Sequence, residues 1–193
     1  MNKRFNIILG SIIIIFILLT VVSIKDKNNG YIRDINYSIE EKNITKLKKQ
    51  IKGKDLNQVH KGIYCEHEVE GPCYSPLQTA CMLNDYKIVK LLVENGADVN
   101  YMDTIGDAKQ TPLIHTIDTT YNNIKIETQL QIVKYLLKNG ADKNIKDSRG
   151  NIALDYTEKL LSHYDYDKKE YIENKNITLK EKQIKQEIIS LLS

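Results

Sequence analysis

One stretch of this chain occurs twice. Residues 88-IVKLLVENGADVNYMD-103 return as 132-IVKYLLKNGADKNIKD-147, with Gly140 standing 44 residues after Gly96. Self-similarity at such a period marks a stack of like supersecondary units. A single unit cannot bury its own apolar face, so a neighbour on each side has to complete it.

The unit can be read from its residues. Ile88, Leu91 and Leu92, and their mates Ile132, Tyr135 and Leu136, fall at i, i+3 and i+4, which makes one face of a helix apolar. Asn95-Gly96 and Asn139-Gly140 then stop that helix, because glycine accepts the left-handed backbone that closes a helix C-terminus. Upstream lie 75-SPLQTACML-83 and 111-TPLIHTI-117. Proline suits a first helical turn, where its missing N–H would have had no partner, and Ser75 and Thr111 are placed to cap. The unit is turn, helix, turn, helix.

These residues resemble ankyrin repeats. The family's Thr-Pro-Leu-His-x-Ala pattern is similar to 75-SPLQTA-80 and 111-TPLIHT-116, and its Gly-Ala-Asp helix stop is present unchanged at Gly96 and Gly140. The resemblance spans about residues 34–193 and is strongest over 75–157. It implies an all-α solenoid of about four helix-turn-helix units, with degenerate terminal ones. In this reading 43-NITKLKKQIKGKDLNQ-58, with Ile44, Leu47 and Ile51 apolar and Gly53 as the stop, is a worn second helix. Residues 150-GNIALDYT-157 open a further repeat and 181-EKQIKQEIISLL-192 form the last outer helix. The spacing departs from the family, whose period is about 33. Extra residues fall around 62–74, 107–110, 118–129 and 163–176.

Ahead of the array a short basic lead, residues 1–4, precedes an uncharged run from Phe5 to Ile24. A bilayer core takes about 20 apolar residues of helix, so residues 5–24 read as one transmembrane helix preceding the solenoid. A cleaved signal peptide is the competing reading, with Val21-Val22-Ser23 as a poor cleavage site. Residues 25–33 are then a linker and 34–193 the repeat domain. The expected protein is single-pass, its repeats outside the cytoplasm, periplasmic or extracellular. Richness in Ile, Asn and Lys points to an AT-rich, bacterial genome.

Composition narrows the partners. Of the 28 basic residues, Lys3 and Arg4 precede the apolar run, and the remaining 26 face 25 acidic ones. A nucleic-acid binder concentrates positive charge on one face, and no such field is evident; 46-KLKKQIKGK-54 reads as the solvated face of an end helix. No Gly-x-Ser-x-Gly, phosphate-binding loop or His-Glu-x-x-His occurs, so no enzyme, cofactor or small-molecule substrate is expected. His60, Cys65, His67 and Cys73 lack the close pairing of zinc ligands. In an exported protein Cys65 and Cys73 would form a disulfide stapling the loop between them, with Cys81 a buried thiol. The Tyr-rich stretch with Tyr156, Tyr164, Tyr166 and Tyr171 is either an interaction surface or a solvated loop.

The expected function is therefore protein binding, as a membrane-tethered adaptor or scaffold. An immunity- or inhibitor-type binder of a secreted toxin, and a structural envelope role, are the alternatives. The resemblance places binding residues on the turns between repeats, the fingers, at Tyr101, Met102, Thr104, Ile105, Ser148 and Arg149. It adds Met82, Leu83, Asp118 and Thr119 on the inner helices. The partner's identity is not written in the residues, since fold does not imply function.

Overall fold

The computed structural model describes residues 31–58, 60–61, 73–102, 109–118, 124–165, 170–173 and 177–193. Its elements fall into four successive pairs. Helix α1 (31–40) is followed by α2 (Ile44–Gln50), α3 (Pro76–Met82) by α4 (Tyr86–Glu94), and α5 (Pro112–Ile117) by α6 (Ile126–Lys138). A 3₁₀ helix (Ala153–Lys159) and α7 (Leu179–Leu192) make the last pair. First helices pack on first helices, α3 on α5 and α5 on the 3₁₀ helix, while second helices pack on second helices, α4 on α6 and α6 on α7. That is a two-layer stack with an inner and an outer row.

Local chemistry sets the boundaries. Ser75 caps α3 through a reciprocal pair: its hydroxyl accepts from the Gln78 N–H, and the Gln78 side chain accepts from the Ser75 N–H. Thr111 caps α5, Asp85 caps α4 by accepting from the Lys87 and Ile88 N–H groups, and Thr178 with Glu181 repeats the reciprocal pair on α7. At the other end of α4, Gly96 adopts φ +91°, which lets the Ala97 N–H reach the Leu92 carbonyl at 3.1 Å. Gly140 does the same after α6 at φ +89°, with Ala141 bonded to Leu136. Each closure meets two carbonyls that the helix leaves free.

Stacking makes one continuous core. Ile88, Val89 and Leu92 of α4 and their mates Ile132, Val133 and Leu136 of α6 are all fully buried. The cluster extends to Ile32, Ile35, Ile39 and Leu47 at one end and to Ile184, Ile188 and Leu192 at the other. Tyr86 and Tyr135 add an edge-to-face ring contact at 5.7 Å between α4 and α6. The last unit is tied on by charge as well, through Lys134 with Glu187 and Lys180 with Glu127.

One expectation needs correction. The transmembrane helix, and with it a single-pass protein carrying its repeats outside the cytoplasm, is not supported: among the described residues no helix is long and apolar enough to cross a membrane. Helix α7, at 14 residues, falls short of the about 20 that a bilayer needs, and residues 5–24 lie outside the described residues. The rest of the expected fold, an all-α stack, stands, with two short strand pairs beside the helices among the described residues. Strands β1 (His60–Lys61) and β2 (Cys73–Tyr74) pair antiparallel, as do β3 (Ser162–Asp165) and β4 (Glu170–Glu173), with Tyr164 opposite Tyr171. Tyr and Ile favour strands, and the 163–176 stretch offers too few apolar residues for a helix face. The inner element of the last unit is a 3₁₀ helix, whose end carbonyls at Glu158 and Leu160 accept from Lys185 Nζ at 3.3 and 3.0 Å.

Candidate interaction surface

The turns between pairs are locked to one another by asparagines. Asn57 Nδ2 donates to the Gly96 carbonyl at 3.4 Å and its Oδ1 accepts from the Asp98 N–H at 2.7 Å. One unit along, Asn100 Nδ2 donates to the Gly140 carbonyl at 2.9 Å and its Oδ1 accepts from the Asp142 N–H at 2.8 Å. The N–H groups of Asn57, Asn100 and Asn144 each bond the carboxylate two residues earlier, Asp55, Asp98 and Asp142. Each finger base is thus rigid in itself and fixed to the next. Asn100→Ala removes two partly solvated bonds and is expected to cost about 1–2 kcal/mol, read from the urea midpoint. A shift within error would mean that water replaces the side chain without loss.

Tyr101 and Met102 follow Asn100 directly and are half-buried. In the next finger Ser148 and Arg149 are exposed. Arg149 is braced from below: its Nη2 donates to the Tyr156 hydroxyl at 3.1 Å, and its Nε lies 3.6 Å from Asp147 Oδ2. Asp147 is buried and accepts from the Arg149 and Asn151 N–H groups, both at 2.9 Å, and from the Tyr156 hydroxyl at 2.5 Å. Burial alone would raise its pKa, but these donors and the Arg149 charge hold the carboxyl below its ordinary value. Gln110 completes the set, donating to the Tyr156 hydroxyl at 3.0 Å and to Asp118 Oδ2 at 3.3 Å while its carbonyl accepts from Gln78 at 2.7 Å. Every group here already has a partner, so the arrangement anchors a finger to three inner elements.

The inner row offers less surface than expected. All of α5 is buried, and α3 is buried as far as Cys81. Met82 is half-buried, Leu83 is 40% exposed at the end of α3, and Asp118 is half-buried at the end of α5. Tyr74 stands edge-on to the His115 ring at 5.2 Å. Burial pushes the Cys81 thiol up to about 12, in spite of a hydrogen bond with Thr116, so it is no nucleophile at neutral pH. Leu83 and Asp118 thus stand at the C-terminal ends of the inner helices, and Asp118 is tied to the Arg149 finger through Gln110 and Tyr156. Thr104, Ile105, Thr119 and Cys65 lie outside the described residues, and with them the Cys65–Cys73 pairing. Residues 75–157 also contain Gln110 and Asp147, which local patterns do not single out, beside Tyr156. The recurrence of Asp103 as Asp147 at the end of the repeated stretch was the available signal.

No curated protein matches the chain. A family model described as ankyrin repeats matches it in three copies over residues 35–147, more than half of its length. The helix pairs from α1 to α6, the glycine closures and the asparagine-locked fingers all lie within or beside that span. Such repeats are protein–protein interaction modules and are typically non-enzymatic. The chain belongs to the ankyrin-repeat family.

Proposed function

We propose that this chain is a non-enzymatic adaptor or scaffold whose repeat domain, residues 34–193, holds a partner protein on its finger side. The observation that carries the reading is the asparagine lock: it presents Tyr101, Met102, Ser148 and Arg149 from turns that are already ordered. Pre-ordered contact residues lose little conformational freedom on binding, which favours affinity. Tyr and Arg are also the side chains that most often dominate interfaces. Thr104 and Ile105 belong to the same turn by sequence, whereas Met82, Leu83 and Asp118 make a secondary set at the inner-helix ends, with Thr119 next to Asp118 in sequence.

The test begins with cross-linking in native cells and mass spectrometry to identify the partner. Tyr101→Ala with Met102→Ala is then expected to weaken that partner by more than about 1 kcal/mol, with little change in melting temperature. Full affinity in this double variant, combined with loss on changing Tyr164 and Tyr171, would move the site to the β3–β4 hairpin. A secreted toxin as the identified partner would favour the inhibitor or immunity version.

A further inference from the structure

Helix α2 differs from the other outer helices in its charges. From Lys42 to Lys54 the chain carries Lys42, Lys46, Lys48, Lys49, Lys52 and Lys54 and not one carboxylate. All six are exposed. Each of the other outer helices has one lysine paired with a carboxylate: Lys90 with Glu94, Lys134 with Glu187, Lys180 with Glu127. Among the described residues no carboxylate pairs with any of the six. Two of them are instead held over tyrosine rings of the first unit, Lys46 Nζ at 5.4 Å from the Tyr37 centroid and Lys54 Nζ at 4.9 Å from that of Tyr31. These contacts fix the flanks of the patch without neutralising it.

We infer that the outer face of the first unit is a second binding surface, for a short acidic segment of a protein partner. The centre of the patch is short, since α2, which carries Lys46, Lys48 and Lys49, is a helix of seven residues and about 10 Å long. In sequence it is flanked by carboxylates, Glu40 and Glu41 before Lys42 and Asp55 after Lys54. A few consecutive Asp or Glu residues fit inside that boundary. A long polyanion would run across the carboxylates and be repelled. The chemistry also favours carboxylate over a phosphate backbone: the patch has no arginine fork, and Asn43 already occupies the Lys46 N–H at the helix start. This surface lies on the outer row, so it neither requires nor competes with the finger site, and its failure leaves that reading standing.

The experiment uses the full chain and fluorescence anisotropy at low ionic strength, with a labelled twelve-residue oligoglutamate peptide and a single-stranded oligonucleotide of equal length as probes. Saturable peptide binding is expected, weakening as salt rises. The triple variant Lys46→Gln, Lys48→Gln, Lys49→Gln should lose about tenfold in affinity. A matched set on other outer helices, Lys87→Gln, Lys90→Gln, Lys138→Gln, should lose less than about twofold, and unchanged melting temperatures show that both sets fold. Equal losses in the two sets would overturn the inference, as would tighter binding of the oligonucleotide or no peptide binding at all.

Discussion

Replacing Leu92 by alanine is expected to cost about 2–5 kcal/mol of stability, and Leu136→Ala a similar amount. Both side chains are fully buried, at equivalent places in α4 and α6. Each substitution deletes three buried carbons, and each side chain also sits beside the carbonyl that receives the glycine closure, Ala97 to Leu92 and Ala141 to Leu136. The backbone around them is therefore held and cannot collapse freely into the vacated space. The outer helices α4 and α6 are in direct contact, so a cavity at Leu92 opens an interface between units as well as one within a unit. Urea unfolding would register the loss as a lower midpoint. Leu179, 74% exposed at the start of α7, provides the control: its alanine variant should stay within about 0.5 kcal/mol of the parent. A loss below about 1 kcal/mol at both Leu92 and Leu136 would mean that units are not held together by this apolar seam.

The parts of the fold that were legible are those written in local patterns. Gly96 and Gly140 announce helix ends because only the left-handed backbone closes them, and Ser75 and Thr111 announce starts because their side chains meet free N–H groups. Ile44, Leu47 and Ile51 with Gly53 likewise located α2, in spite of its divergent sequence. Helix α1 was readable from Ile32, Ile35 and Ile39 but was overshadowed by the apolar run before it. The asparagine lock was also in view, as Asn57, Asn100 and Asn144 recur in register with the glycines, yet its meaning appears only when the turns are side by side. What no local pattern carries is contact between distant side chains. Gln110 meets Tyr156 across 46 positions, and Tyr156 meets Asp147 across a turn whose path the 3₁₀ helix determines. The β3–β4 pair is of the same kind, since its short strands show little beyond a preference of Tyr and Ile.

His115 makes the protein's stability depend on pH in a direction that can be stated in advance. Its side chain is 6% exposed on α5, its ring faces the edge of Tyr74, and its Nε2 has no hydrogen-bond partner. Burial lowers its pKa to about 4, with the nearby Asp118 carboxylate opposing only part of that effect. In the unfolded chain a histidine titrates near 6.5. Between those values the unfolded state binds a proton that the folded state refuses, so stability is full above about pH 6.5 and falls as the pH drops toward 4. The accumulated loss is about 3 kcal/mol at the lower end. Asp147 acts in the same sense but lower, because its depressed carboxyl contributes above the ordinary Asp value near 3.9 and is lost only as the pH falls through its own pKa. His115→Phe keeps a ring against Tyr74 and removes the proton acceptor. Urea midpoints measured from pH 7.5 to 4 should therefore diverge, the parent losing stability through the window while the variant stays flatter. Parallel curves would show that His115 gains a partner or solvent when charged and does not report on the packing of the inner row.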